Sequence, residues 1–176
     1  MVCYCAHIEP VVTNTRVLFL QHPRERDVAI NTARIARLCL PNSDLRVGVD
    51  FAGDRVVREA LHDPARPAVL LFPSDEAVDL RERRPDGPVT LVVLDGTWSQ
   101  AAKLLKLNPF LRALPQYRLA PSKPSDYRIR REPADHCVAT VEALALVLGA
   151  LEGDLARFAS LLRLFEEMVG TQLRYA

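Results

Sequence analysis

The sequence lacks any segment that would span a membrane or direct the chain into a secretory route. No stretch reaches the roughly 18 uncharged apolar residues of a membrane helix, and the most apolar one, 138–151, is interrupted by Glu142. The first residues, Met-Val-Cys-Tyr-Cys, lack the basic and then apolar pattern of a signal peptide. We therefore expect a cytoplasmic protein with no membrane partner.

A complete zinc-binding set of cysteines is also missing. Cys3 and Cys5, close to His7, form half of such a site, but no C-x-x-C pair exists in the chain to complete it. A flexible N-terminal pair that binds no metal is the alternative interpretation. Cys39 and Cys137 lie in apolar helical patterns, which predicts buried and unreactive side chains.

Length and composition are those of an ordinary globular domain. The chain has 176 residues, of which 49% are hydrophobic and 26% are charged, and these values exclude a disordered protein. A single domain of this length buries an adequate core without disulfides or metal.

Basic residues are concentrated in one half of a nearly neutral chain. Between Asp95 and Arg131 eight lysines and arginines face two acids, a net charge of +6, whereas 142–168 carries five acids and two arginines, a net charge of −3. The basic half is compatible with a polyanionic partner. The alternative is that these side chains only solvate the surface.

Four apolar runs alternate with helical patterns and predict a parallel sheet flanked by helices. The predicted strands are 16–21, 45–51, 68–72 and 90–94, and strands this apolar must be covered on both faces. Helices are predicted from Asp27 to Leu40, from Trp98 to about Leu107, and over 139–151 and 154–173, the last two separated at Gly153. Segments 116–119 and 127–131 are predicted to be short strands or extended loops, and 81–88 a surface loop.

The most informative segment follows the fourth strand, where Asp95 and Gly96 lead into a helix. Ligands of open α/β sheets bind beyond the carboxyl ends of the strands, and Gly96 permits a close approach of the backbone. Thr97 and Gln100 have the spacing of a capping box. The purely structural alternatives are a turn or cap role for Asp95, core packing for Trp98 and a solvated position for Lys103.

Several segments of the chain together resemble the DTW-domain family. They are Cys3-Tyr-Cys5, L-Q-H-P-R-E at 20–25, N-T-A-R at 31–34, F-P-S-D-E-A at 72–77, D-G-T-W at 95–98 with Ala101 and Lys103, Y-R-I-R-R-E-P at 127–133, and T-V-E-A at 140–143. They occur in the family's order and cover nearly the whole chain.

This resemblance implies an activity and a fold. The family consists of tRNA-uridine aminocarboxypropyltransferases, which transfer the 3-amino-3-carboxypropyl group from S-adenosylmethionine to N3 of a uridine in tRNA. A SPOUT-like α/β fold with a knotted C-terminal part is the implied architecture, and such a knot is an exception to the usual unthreaded connections. No obligate protein partner is evident.

The resemblance also implies roles for individual residues. Asp95 would accept the N3 proton or orient the uracil edge, and Thr97 and Trp98 complete the catalytic set. The expected cofactor-binding residues are Pro73, Ser74, Asp75, Leu94, Gly96, Thr140 and Glu142. The expected RNA-binding residues are His22, Arg24, Arg34, Lys103, Arg128, Arg130 and Arg131.

The chain departs from the family pattern at two places. An earlier C-x-x-C element precedes the C-x-C pair in many members, so residues 1–12 are expected to be a remnant of an N-terminal zinc-binding element. Zinc is expected only if a fuller N-terminus supplies further ligands. Ala139 stands where the family leads one to expect serine before Thr140, which removes one hydroxyl contact.

Three other functions remain open at this point. A methyltransferase acting on RNA would use the same cofactor and a similar fold. An aminocarboxypropyltransferase acting on ribosomal RNA would use the same chemistry, although the D-G-T-W segment favours the tRNA branch. A non-catalytic RNA-binding module would need only the basic segment, and the complete motif around Asp95 disfavours it.

Overall fold

A computed structural model describes residues 5–28, 31–119 and 139–175. Its strands are β1 (Arg16–Gln21), β2 (Ser43–Val47), β3 (Ala68–Leu71), β4 (Val78–Asp79), β5 (Thr90–Asp95) and β6 (Gln116–Arg118). Its helices are α1 (Thr32–Cys39), α2 (Arg55–Leu61), α3 (Trp98–Leu107), α4 (Pro109–Arg112), α5 (Thr140–Glu152) and α6 (Ala159–Tyr175). Short 3-10 helices occupy Cys5–His7, Pro23–Glu25 and Ala156–Phe158.

The described strands form one parallel sheet in the order β2-β1-β5-β3-β6-β4. The predicted α/β architecture, with a parallel sheet flanked by helices, is therefore confirmed. Alternating residues of each central strand enter two separate cores, as the side-chain period of a strand requires. Val17 and Phe19 pack with α1, α5 and α6, whereas Leu18 and Leu20 pack with α2, α3 and α4.

The connections that follow β1 and β5 lead toward opposite edges of the sheet, and this arrangement determines where the site lies. From β1 the chain passes through α1 to β2 at one edge, and from β5 it passes through α3 and α4 to β6 on the other side. The two connections cover opposite faces of the sheet. The carboxyl ends of β1 and β5 therefore flank the switch point, where open α/β sheets form a crevice.

Several predicted boundaries were wrong for local reasons. The second strand begins at Ser43, which pairs with Val17, and it ends at Val47, because Phe51 leaves the sheet to join the second core. The first helix begins at Thr32 rather than Asp27, because Asn31 caps it. Helix α2 was missed, although Asp54 ahead of Val57 and Ala60 is a capped amphipathic start.

Other predictions have mixed outcomes. Segment 81–88 is an exposed irregular loop as predicted, and β6 lies within the predicted 116–119. Segment 127–131 lies outside the described residues, and the SPOUT-like knot stays a prediction. No helix in the described part of the chain is long and apolar enough to cross a membrane.

Candidate active site

Asp95 lies buried at the end of β5 and is held by three neutral hydrogen-bond donors. Asp95 is only 4% exposed. The amides Nε2 of Gln21 and Nδ2 of Asn31 both donate to Oδ2, each at 2.8 Å. The hydroxyl of Thr140 donates to Oδ1 at 3.3 Å. A carboxylate has about four lone-pair positions, so Oδ1 keeps one position without a partner among the described residues.

The three donors come from three different elements. Gln21 ends β1 and is the register partner of Asp95 on β5. Asn31 caps α1, and its Oδ1 accepts the backbone N–H of Arg34 at 2.9 Å. Thr140 is the first residue of α5. Gln21 and Asn31 were not among the predicted site residues, although both belong to the family-like segments after the first strand.

His22 lies beside Asp95 at the end of β1. Its backbone N–H donates to the Asp95 carbonyl at 2.9 Å. Its ring caps the 3-10 helix Pro23–Glu25, where Nδ1 accepts the backbone N–H of Arg24 at 3.3 Å. Burial lowers the pKa of His22, and the charges of Lys103 and Arg24 lower it further against an opposing effect of Glu25. The imidazole is therefore neutral near pH 7.

Gly96 and Thr97 form the turn from β5 into α3. The backbone N–H of Thr97 donates to Oε1 of Gln100 at 2.6 Å, and that of Gln100 donates to Oγ1 of Thr97 at 3.4 Å. The predicted capping box is therefore confirmed. A Cβ on Gly96 would lie 2.7 Å from Oε1 and 3.0 Å from Cβ of Gln100, so a larger residue here would displace the Gln100 side chain from the cap.

Trp98 stands at the first position of α3 and is 47% exposed. Its ring meets Phe72 edge to face, with 6.4 Å between the ring centroids and 63° between the planes. The interpretation of Trp98 as a core residue was therefore wrong. Phe72 contacts part of the indole, and much of the indole is available to a ligand.

The predicted cofactor residues lie near the carboxyl end of the sheet, but several already form hydrogen bonds with other residues of the chain. Pro73 and Asp75 are exposed in the loop after β3, and Ser74 donates to Oε1 of Gln116 at 2.7 Å. Leu94 is half-buried against the second core. Glu142 accepts the backbone N–H of Ala139 at 2.8 Å, and Ala139 has no side-chain group with which to complete that cap.

The predicted RNA-binding residues are only partly brought together. Arg24 and Lys103 are exposed beside His22. Arg34 is exposed at the start of α1, where its guanidinium donates to the Val28 carbonyl at 2.6 Å. Arg128, Arg130 and Arg131 lie outside the described residues.

The cysteines are only partly described. Cys3 and Cys137 lie outside the described residues, and only the backbone of Cys5 is described, in the 3-10 helix Cys5–His7. Within the described ranges no three His, Cys, Asp or Glu side chains are grouped in a way that would hold a metal ion. Cys39 is buried as predicted, and burial raises the pKa of its thiol.

The fold and site together define an α/β protein with a polar cluster at the switch point of a parallel sheet. The chain belongs to the DTW-domain family, whose sequence model matches residues 1–173. The family resemblance noted in the sequence is thereby confirmed.

Curated relatives share one type of name. The mouse protein "tRNA-uridine aminocarboxypropyltransferase 2" is 32% identical over 99% of this chain and 61% of its own length. The fruit-fly protein of the same name is 34% identical over 86% of this chain and 63% of its own length. The Arabidopsis protein "tRNA-uridine aminocarboxypropyltransferase A" is 28% identical over 99% of this chain and 78% of its own length. The chain thus spans about three fifths of the mouse and fly relatives, and no solved structure matches it significantly.

Proposed function

We propose that the protein transfers the 3-amino-3-carboxypropyl group from S-adenosylmethionine to N3 of a uridine in tRNA, forming acp3U and releasing methylthioadenosine. One observation carries this proposal. Asp95 of the D-G-T-W segment is held at the switch point by Gln21, Asn31 and Thr140, which belong to three other segments that resemble the family. The names of the mouse and plant relatives support the same activity.

The reaction needs a deprotonated uridine N3 in line with the carbon that is transferred. N3 loses its proton and forms the bond to the γ-carbon, while the bond from that carbon to the sulfonium breaks and its electrons stay on sulfur as a thioether. Asp95 accepts the N3 proton, or orients the uracil edge, through the open position on Oδ1. Its hydrogen bonds from Gln21 and Asn31 hold the carboxylate in place during this step.

The residues at this sheet edge fit the amino-acid part of the donor molecule. S-adenosylmethionine supplies the electrophilic carbon and its own leaving group. The backbone N–H groups of Trp98 and Ser99, in the first turn of α3, suit the donor carboxylate, and exposed Asp75 suits its ammonium group. Gly96 keeps the approach to these groups open, and Pro73, Leu94 and the backbone near Ser74 flank the adenosine.

Binding of tRNA would use charge and stacking. Contacts with phosphates would contribute affinity and salt dependence but little sequence choice. The residues that would make them are Arg24, Arg34, Lys103, Arg128, Arg130 and Arg131. Exposed Trp98 would stack on a base. A target uridine in folded tRNA would leave its stack to reach Asp95. Action in the cytoplasm is part of this proposal.

The test compares two labelled samples of S-adenosylmethionine, one labelled in the carboxyl group and one in the methyl group. Purified protein is incubated separately with tRNA and with ribosomal RNA from a strain that lacks the enzyme. Carboxyl label in the tRNA without methyl label is the expected result. Methyl label would instead identify a methyltransferase, and label in ribosomal RNA alone would identify the other branch of the family.

Asp95→Asn tests the assigned role of the carboxylate. The variant should keep its affinity for S-adenosylmethionine and lose most of the transfer activity, because the amide cannot accept the proton. Turnover close to that of the wild type would exclude Asp95 as the base. If neither protein transfers label but both bind tRNA, a non-catalytic RNA-binding role gains support.

A further inference from the structure

Helix α1 has one side packed against the core that it shares with α5 and α6, and one exposed side. The exposed side consists of Arg34, Arg37 and Leu38, and we call it the α1 face. These residues are three and four positions apart in the helix, a spacing that makes side chains neighbours on one surface. Leu38 is 53% exposed. The α1 face therefore combines two guanidinium groups with an apolar side chain that the core does not bury.

The positive charge of the α1 face is not neutralised by the described residues. The guanidinium of Arg34 donates to a backbone carbonyl, and no described carboxylate pairs with either Arg34 or Arg37. Glu9 and Asp44, on the segments next to α1, each form an ion pair with another arginine at 2.7 Å. An uncompensated cationic surface of this kind attracts a polyanion.

The α1 face begins next to the candidate active site. Asn31, which caps α1, donates from Nδ2 to Oδ2 of Asp95 at 2.8 Å. Because an α-helix rises about 1.5 Å per residue, Arg34 and Arg37 lie about 4.5 Å and about 9 Å from Asn31 along the helix axis. These distances are short enough for nucleotides next to a target base to reach the α1 face.

We propose that the α1 face binds the tRNA strand that flanks the target uridine, with Arg34 and Arg37 on phosphates and Leu38 against a ribose or base. This inference rests on the proposed function and gives the RNA a path along α1. Arg37 and Leu38 were not among the RNA-binding residues expected from the sequence. Guanidinium groups bind phosphate oxygens in a bidentate manner, and such contacts fix the register of the substrate without reading its sequence.

The first experiment measures tRNA affinity at several salt concentrations, without S-adenosylmethionine. The proteins are the wild type, Arg37→Gln, Arg37→Lys and the control Arg55→Gln. Arg55 is exposed on α2, which packs on the opposite face of the sheet, so the control loses the same charge at a different place. We expect Arg37→Gln to bind roughly 3- to 10-fold more weakly, with a salt dependence smaller by about one phosphate contact. Lysine should retain most of the affinity because it keeps the charge.

Leu38→Gln tests the apolar contact separately from the charge. We expect tRNA affinity to fall a few-fold with an unchanged salt dependence, because no cation is removed. Thermal unfolding of the Leu38 and Arg37 variants should stay close to that of the wild type, since both side chains are exposed. An unchanged affinity in Leu38→Gln would contradict the contact assigned to this residue.

Transfer kinetics distinguish docking from a role in the reaction. In Arg37→Gln, KM for tRNA should rise while kcat at saturating tRNA stays the same, because Arg37 does not touch the reacting atoms. Three results would overturn the proposal: unchanged tRNA affinity and salt dependence in Arg37→Gln, an equal loss in Arg55→Gln, or a fall in kcat with unchanged KM. If the wild type binds tRNA through the α1 face but transfers no carboxyl label, the proposed function fails and the docking surface stands.

A second experiment locates the bound RNA directly. A photo-crosslinking amino acid, p-benzoylphenylalanine, replaces Leu38 in one protein and Arg55 in the control. We expect position 38 to crosslink to nucleotides beside the target uridine and position 55 to give no crosslink. Crosslinks at position 38 that are as weak as those at position 55, or that lie far from the target, would overturn the proposal. In a cell extract, a crosslink to a protein in place of tRNA would also overturn it and assign the α1 face to a protein partner.

Discussion

Asn31 joins the start of α1 to the carboxylate of Asp95, with Nδ2 lying 2.8 Å from Oδ2. The opposite end of the same amide, Oδ1, caps α1 through the backbone N–H of Arg34. One side chain therefore fixes where the helix begins and where the buried carboxylate points. Loss of either hydrogen bond of Asn31 should therefore weaken the other.

Asn31→Asp separates the two contacts, because aspartate is as good a cap as asparagine but faces Asp95 with a second carboxylate. We expect a loss of about 1–3 kcal/mol in the free energy of unfolding at pH 7 and a large loss of transfer activity. Like charges raise the pKa of such a carboxyl pair, so its cost should diminish as pH falls and one group becomes protonated. Chemical denaturation at pH 7 and pH 5 would reveal this, and equal stability to the wild type at both would contradict the contact.

Gly96→Ala should disturb the turn at the site. The added Cβ meets Gln100 at 2.7 Å and 3.0 Å, so Gln100 must leave the Thr97 N–H that it accepts. Loss of this part of the cap should cost about 1 kcal/mol and lower transfer activity. Gly53→Ala is the matched control, because nothing lies within 4 Å of its added Cβ. Equal thermal unfolding temperatures for both variants would argue against the close packing.

Trp98→Ala should lower tRNA affinity with little effect on stability. Trp98 is 47% exposed and its indole meets Phe72 edge to face, so few buried contacts are lost. Stacking of one base on an aromatic ring contributes about 1–3 kcal/mol, which predicts a roughly fivefold to 150-fold weaker complex. Leu107→Ala, at the exposed end of the same helix, is the control. A destabilised Trp98→Ala protein with normal tRNA binding would instead support a packing role.

Glu152 should make stability depend on acid pH. Its carboxylate accepts Thr15 N at 2.8 Å and Thr15 Oγ1 at 2.7 Å, and it lies 3.7 Å from Arg157. Burial opposes ionisation, but hydrogen bonds from Thr15 and Asn14 and the charge of Arg157 outweigh it and lower the pKa of Glu152. A lowered folded-state pKa means that the contribution is present above the unfolded value of 4.5 and is lost as pH falls through the folded value.

Glu152→Gln should therefore be less stable than the wild type at pH 7, by about 1–3 kcal/mol, and the difference should narrow in acid. Urea titrations between pH 7 and pH 3 measure this. Glu59→Gln is the control, because its exposed pair with Arg55 at 3.6 Å should contribute less than about 1 kcal/mol. If the difference in free energy of unfolding between Glu152→Gln and the wild type does not change with pH, the charge of the Glu152 carboxylate does not stabilise the fold.

Ala139→Ser should stabilise the protein. Ala139 occupies the N-cap position of α5, and Glu142 already accepts its backbone N–H. A serine hydroxyl would accept the N–H of Glu142 and complete the capping box, a gain of about 1 kcal/mol. Ala143→Ser, past the first turn of the same helix, should instead cost a few tenths of a kcal/mol. If both serines destabilise equally in thermal unfolding, the N-cap geometry at Ala139 is not the one described.

The central elements could be predicted from the sequence because their signals are local. The apolar runs of β1, β3 and β5 exceed what a solvent-exposed strand tolerates, and the Thr97–Gln100 spacing identifies a capping box without reference to the rest of the chain. Helix α2 is shorter and was missed, although Asp54 marks its start. Strand β4 has only two residues, Val78 and Asp79, and it forms because they pair with β6.

The amino-acid sequence by itself determined that Asp95 ends a buried strand, that Gly96 and Thr97 open a helix and that the chain resembles the DTW-domain family. Only the tertiary structure decided which side chains meet Asp95. Gln21, Asn31 and Thr140 lie 74, 64 and 45 residues from it along the chain, and parallel pairing of β1 with β5 brings the first of them into register. The tertiary structure also exposed Trp98 and made the ring of His22 a helix cap, because burial and hydrogen-bond partners are properties of packed neighbours rather than of residue type.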